Sequence, residues 1–188
     1  MKKFFAFAAA ALMTLTASAQ TLKFAHVNFS ELVQLMPEAD EARAALAASS
    51  KEAGETYDSM VEEFQNKYSQ YQQKSSTWTA AIKDAKEKEL ADIQNRIQEF
   101  QQNIQAELQQ QQTQLMAPIQ EKAMKAVEKL AKDGGYIYVF ERAQLLYINE
   151  TQSVDLTPAA RKALNIPDGR TLESLQAELQ AQAQAQQQ

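Results

Sequence analysis

Apolar positions along the chain fall into distinct rhythms, and each rhythm predicts a different element. Leu22 to Asn28 alternates well enough for a short strand. Ser30 can cap a short helix over Glu31 to Met36, which Pro37 stops. Tyr57, Met60, Phe64, Tyr68 and Tyr71 then step by three or four residues, as a helical seam does. Leu90, Ile93, Ile97, Phe100 and Ile104 repeat that step before the register slips to Leu108, Leu115 and Ile119, a break that locally changes the supercoil. No Gly or Pro lies between Gly54 and Pro118, and the intervening residues are rich in Ala, Glu, Gln and Lys, which lose little on entering a helix. As a single helix this run would be roughly 95 Å long at 1.5 Å per residue, too long for a compact domain. It must be a coiled coil, straight or folded back. Ser75 to Thr79, around Trp78, is poor in helix formers and can cap a new helix, which predicts a hairpin tip there.

The seam is unusual in composition. A self-sufficient coiled coil prefers Leu, Ile and Val at its contact positions, whereas the outgoing arm offers Tyr, Met and Phe, with Ala through 42–48. The returning arm is crowded with glutamine from Gln94 to Gln114, which reads as solvated helix surface because Gln forms helix at no charge cost. Such arms bury modest area and should flex.

After the arms, Ile119, Ala123, Val127 and Leu130 make a helix stripe ending at the Gly134-Gly135 C-cap. Tyr136 to Phe140 and Leu145 to Ile148 are β-rich runs, expected to pair as a hairpin across Glu141 to Gln144. Thr157 is expected to cap a further helix with Pro158 at its first position, running to about Leu164. Thr171 to Gln188 carries Leu172, Leu175 and Leu179 but dissolves into an Ala-Gln repeat, read as a frayed helix or disordered tail. The divisions are therefore a head part at 20–37, a helical arm at 38–117 with its tip near 75–79, a second head part at 118–166 and a flexible tail at 167–188.

One candidate strand precedes the arms and two follow them, so a shared sheet requires the helices to go out and come back, favouring an antiparallel hairpin. A three-stranded head leaves exposed edges and a small core, and would gain from joining other subunits. Oligomerisation follows from that layout alone.

Composition narrows the occupation. Four Gly and four Pro in 188 residues make an all-β sandwich improbable. Without cysteine there are no disulfides, thiolate nucleophiles or thiolate metal sites, and a single histidine forbids a multi-histidine site. No metal or cofactor is expected. Met1-Lys2-Lys3, an apolar run from Phe4 to about Thr16, and Ala17-Ser18-Ala19 form the pattern of a signal peptide, with cleavage expected after Ala19. The mature protein should be exported and soluble, and removing Lys2 and Lys3 takes the formal charge from −5 to −7. That acidity disfavours nucleic acid, whose phosphates need a basic face, and would repel an anionic membrane surface at long range.

No residue cluster reads as an active site, so no enzyme is expected. His26 lies in a strand pattern between apolar Ala25 and Val27, the setting of a structural histidine. Glu62 and Glu63, and the run from Asp84 to Glu89, are interleaved with Lys as solvated helix faces are. Lys122, Lys125, Lys129 and Lys132 form a helical stripe, read as a solvated face in preference to an anion site. Arg142 beside Glu141 reads as a surface pair.

The segment from Phe24 to Val33, ending in Met36-Pro37-Glu38, resembles the first strand and short helix of the Skp/OmpH family of periplasmic chaperones. Gly135 to Glu141 and Leu146 to Asn149 look like that family's head hairpin, and Asp155-Leu156-Thr157 leading to Lys162-Ala163-Leu164 is similar to its closing helix. The resemblance spans about residues 21–166, with the arms contributing by length and composition. It implies a mainly α fold with a small β head: a long antiparallel coiled-coil hairpin inserted in a small, β-barrel-like α/β trimerisation domain. It implies a homotrimer whose arms enclose a cavity, holding unfolded outer-membrane proteins without ATP. The candidate client-binding residues are then Tyr57, Met60, Phe64, Tyr68, Tyr71 and Trp78, since aromatic and methionine side chains suit adaptable surfaces. The candidate oligomerisation residues are Phe24, Val27, Ile137, Val139, Leu146 and Ile148. Familiar members are basic, with basic arm tips tied to lipopolysaccharide. Here residues 38–117 are net acidic, and Lys74 to Leu90 has only a slight basic excess, so lipopolysaccharide binding is not carried over. The competing reading is a structural coiled-coil spacer or adaptor of the cell envelope.

Overall fold

The computed structural model describes residues 22–185, so the expected signal segment and its cleavage site lie outside the described residues. Strand β1 (Phe24–Val27) leads into helix α1 (Phe29–Leu35). The cap of α1 is Asn28 rather than Ser30: its Oδ1 accepts the Glu31 N–H at 3.2 Å while its Nδ2 donates to Glu31 Oε2 at 2.8 Å. Met36 is extended, with ψ 141°, as the residue before a proline must be. The chain therefore turns there and restarts with Pro37 as the first residue of α2 (Pro37–Lys74).

A short 3₁₀ turn (Ser75–Thr77) follows, and Thr79 caps α3 (Ala80–Gly134) by accepting the Ile82 N–H. Pro118 lies inside α3, and the helix runs on through it into the head. Gly135 ends α3 in the left-handed region at φ 68°, where a residue with Cβ would be strained.

Three strands form the head sheet: β1, β2 (Tyr138–Glu141) and β3 (Ser153–Asp155). The order is β2-β1-β3, and β1 is parallel to both neighbours, with Phe24 opposite Tyr138 on one side and Ser153 on the other. This corrects the expected hairpin, and Leu146 and Ile148 lie in no strand. The reason is local hydrogen bonding. Glu141 accepts the Phe29 N–H at 2.8 Å and the Ala143 N–H at 3.4 Å, starting a 3₁₀ turn (Arg142–Gln144) where a hairpin would reverse. Asn149 then makes the real turn: its side chain accepts from Thr151 N and Oγ1, and its carbonyl from Gln152 and Ser153. A parallel pairing also needs a long crossover, and the arms supply one between β1 and β2.

Helix α4 (Thr157–Ala163) closes the head. Thr157 does not cap it as expected; its hydroxyl accepts the Asn28 N–H at 2.9 Å, tying α4 to the start of α1. The segment expected to be a flexible tail contains α5 (Leu172–Ala185), which buries Leu175.

The core sits where α1, α4 and the roots of α2 and α3 meet under the sheet. Leu32, Leu35, Met36 and Leu164 are its largest fully buried side chains, with Ala39, Ala123 and Ala160 allowing close helix approach. His26 is buried in β1, its Nδ1 within 2.9 Å of Ser153 Oγ, which joins β1 to β3 in the manner of a structural histidine.

Candidate functional site

The arms are the longest elements of the described chain, and their packing is unusual. Contacts between α2 and α3 descend on one helix as they rise on the other: Glu38 with Lys122, Ser49 with Gln111, Glu63 with Arg96, Lys67 with Glu89, and Tyr71 with Glu87. Between residues 43 and 118, however, only Ile93 is buried. Two long helices touching through one buried side chain cannot owe their stability to a closed apolar seam.

Tyr57, Met60, Phe64, Tyr71 and Trp78 are half-buried at this seam, and Tyr68 is exposed. Phe64 stacks on Tyr68 with ring centroids 5.9 Å apart, and Tyr71 meets Trp78 edge-on at 5.9 Å, so the candidates cluster toward the tip in two aromatic pairs. Ile82, just past the tip, is also exposed.

Nearer the head the seam opens. Ser50, Ala53 and Gly54 of α2 face Phe100, Ile104 and Leu108 of α3 across clefts of about 530 and 670 Å³, both lined by Ala53, Phe100, Ile104 and Leu108. Small residues opposite large ones leave these side chains half-buried with room beside them. Phe100, Ile104 and Leu108 read from sequence only as seam residues. The signal that could have marked them is the set of small residues, Ser50, Ala53 and Gly54, in the facing segment of α2.

Charge decorates the arms without creating an anion site. Lys122, Lys125, Lys129 and Lys132 are each paired, with Glu38, Glu121, Asp133 and Glu128 respectively. Arg142 reaches Asp155 at 3.3 Å and Glu150 at 4.0 Å rather than Glu141. Hydrogen bonds from Lys67 and then Lys86 pull the Glu89 carboxyl down to about 2 from the ordinary 4.5, and the Glu87 carboxylate raises the Tyr71 phenol. A carboxyl depressed in the folded state stabilises it above its unfolded pKa and loses that contribution as pH falls through the folded value. The cross-arm tie at Glu89 should therefore weaken between about pH 4.5 and 2. Glu89→Gln should melt below the parent at pH 7 and coincide with it near pH 2, as followed by helical circular dichroism; equal melting at pH 7 would mean solvent screens the tie completely, since both partners remain about a third exposed.

In the head, the three predicted oligomerisation residues that lie in the sheet, Phe24, Val27 and Val139, divide between its two faces. Val27 and Val139 pack into the chain's own core, whereas Phe24, Tyr138 and Phe140 form an outward aromatic strip, with centroids 6.5 and 5.8 Å apart. Tyr138 is 60% exposed and Phe140 43%. Tyr138 and Phe140 were not singled out from sequence. Ile137 is exposed beside them, while Leu146 and Tyr147 stand out on the loop between β2 and β3, fully and largely exposed. Ile148 is half-buried in that loop, outside the sheet.

Among the described residues no group of acidic or histidine side chains is arranged to hold a metal, and no helix is long and apolar enough to cross a membrane. A family model described as "Outer membrane protein (OmpH-like)" matches residues 23–164, from the start of the sheet to the end of the closing helix. No curated protein matches the chain.

Proposed function

The chain belongs to the OmpH-like family, and from that premise we propose that it is an ATP-independent holdase chaperone of the periplasm, binding unfolded outer-membrane proteins and preventing their aggregation. The observation that supports this reading best is the open seam: between residues 43 and 118 only Ile93 is buried, while aromatic and aliphatic side chains stand half-covered beside clefts. Many weak apolar contacts on adaptable helices suit a client with no fixed shape. The antiparallel arms of three subunits would surround a cavity, with Tyr57, Met60, Phe64, Tyr68, Tyr71 and Trp78 as client contacts, and no catalytic step is involved. A spacer or adaptor, by contrast, would be served by a regular, closed coiled coil.

The test is light scattering of an unfolded outer-membrane barrel diluted from urea, with and without the protein. Suppression at a fixed stoichiometry is the expected result. It should persist as salt rises above ~0.15 M, where the Debye length is already about 8 Å, because apolar burial is not screened. A steep loss with salt would point to charge-driven capture instead.

Homotrimer formation is proposed through the outward strip of the head. Phe140→Asp should lower the oligomer mass in light scattering while leaving the head folded, because Phe140 faces away from its own core. Val139→Asp should instead unfold the head, since Val139 packs inward. An unchanged mass for Phe140→Asp would remove the strip from the interface.

A further inference from the structure

Helix α5 begins beyond the end of the family match, at residue 164, and yet it is built into the molecule. Leu175 is only 5% exposed and joins the core cluster that contains Ala39 and Ala42 of the α2 root. Arg170, just before α5, reaches across to Asp40 of α2 and back to Glu178 of α5, the latter at 3.5 Å. Its side chain is 17% exposed, so a charge taken largely out of water is held between two carboxylates. The loop that presents it is fixed in turn: Arg161 donates to the carbonyls of Pro167 and Arg170 and pairs with Glu31 of α1 at 2.9 Å. One chain of contacts thus runs from α1 through α4 and the loop to α5 and onto the arm.

Past Leu175 the helix stands off. A cleft of about 680 Å³ opens between α5 and the arms, bounded by Leu46, Ala47 and Leu108 on one side and Leu179 and Gln182 on the other. Leu179 is 41% exposed at its edge, so contact is firm at the root and loose above it.

We propose that α5 is a brace across the root of the arms, fixing their angle to the head and so setting the opening offered to a client. The clause about clients rests on the holdase reading; the brace itself is a statement about geometry and is tested without any client. The chain contains no cysteine, so a pair of spin labels can be placed cleanly at Ser76→Cys on the arm tip and Lys162→Cys on the head, both exposed positions. Labelled chain is diluted with unlabelled chain so that distances within one protomer are read.

Ending the chain after Arg170 should broaden the tip-to-head distance distribution. Glu178→Arg should broaden it in the same direction by setting like charges beside each other, and it decides alone if the shortened chain loses head structure by circular dichroism, because Glu178 is a surface residue. Gln182→Leu should narrow the distribution, since 175, 179 and 182 then form one apolar stripe facing the cleft. Distributions that coincide in the parent, shortened, Glu178→Arg and Gln182→Leu chains would overturn the brace and leave the holdase reading as it stands.

Discussion

Excising residues 51–109 and joining Ser50 to Gln110 through a short Gly-Ser linker is expected to yield a folded head that no longer suppresses client aggregation. The cut is set by the structure. The core reaches along the arms through Ala42, Leu115 and Ile119, and the hydrogen bond from Gln111 to Ser49 closes their root. Cutting at the arm boundaries read from sequence would remove Ala42 and Leu115 and confuse loss of function with loss of fold. Above Ser49 the arms add one buried side chain, Ile93, to the stability of the molecule. Removing them should leave a cooperative urea transition. It should also delete every candidate contact from Tyr57 to Trp78, along with both clefts of the open seam. If those contacts hold the client, the concentration needed for half suppression should rise roughly tenfold or more, because several buried apolar side chains are lost and each 1.4 kcal/mol is a factor of ten. Suppression retained by the headpiece would move the client site onto the outward face of the head.

Leu35→Ala is expected to destabilise the head by about 2–5 kcal/mol, the range for emptying a large buried side chain. Leu35 is fully buried between α1 and the helices around it, and among the described apolar side chains only Leu32, Met36 and Leu164 are as large and as completely buried. Ala25, Ala39, Ala42, Ala123 and Ala160 share that core, and they are too short to fill the gap. A domain of this size has a total stability on the order of 5–15 kcal/mol, and one such change removes a large share of it. The measurement is the urea midpoint of the head signal. The arms themselves should respond less, since Leu35 touches only their roots. A shift well below the expected range would mean that assembly with other subunits carries most of the stability.

How much of this was written along the chain differs from element to element. The long helices were legible because no Gly or Pro lies from Glu55 to Ala117 and most residues there have good local helix propensity. The change of direction at Ser75–Thr77 falls in a run of Ser and Thr, whose side chains compete with the helix for backbone hydrogen bonds. The glycine end of α3 was legible for the same local reason, because Gly135 takes a left-handed conformation that other residues resist. The family resemblance, which rests on an ordered set of short segments, was legible as well, and the family match over residues 23–164 agrees with it.

Strand pairing was not legible. Tyr136 to Phe140 and Leu145 to Ile148 have the same β-rich look, and propensity cannot say which run finds a partner. The outcome was decided at a distance, where Glu141 accepts a hydrogen bond from Phe29 and β1 takes both central edges of the sheet. The site shows the same division. Periodicity located the apolar residues of the arms. Only the pairing of the two helices revealed that Phe100, Ile104 and Leu108 stand opposite Ser50, Ala53 and Gly54, leaving the seam open. The Ala-Gln tail, read as a frayed helix or a disordered tail, offers one leucine per turn or fewer from its own sequence. It is ordered because Leu175 enters a core made by other elements and Arg170 finds Asp40 on α2, 130 residues away in the chain. Properties set by neighbours in sequence could be read from the sequence; those set by partners far along the chain had to wait for the fold to bring them together.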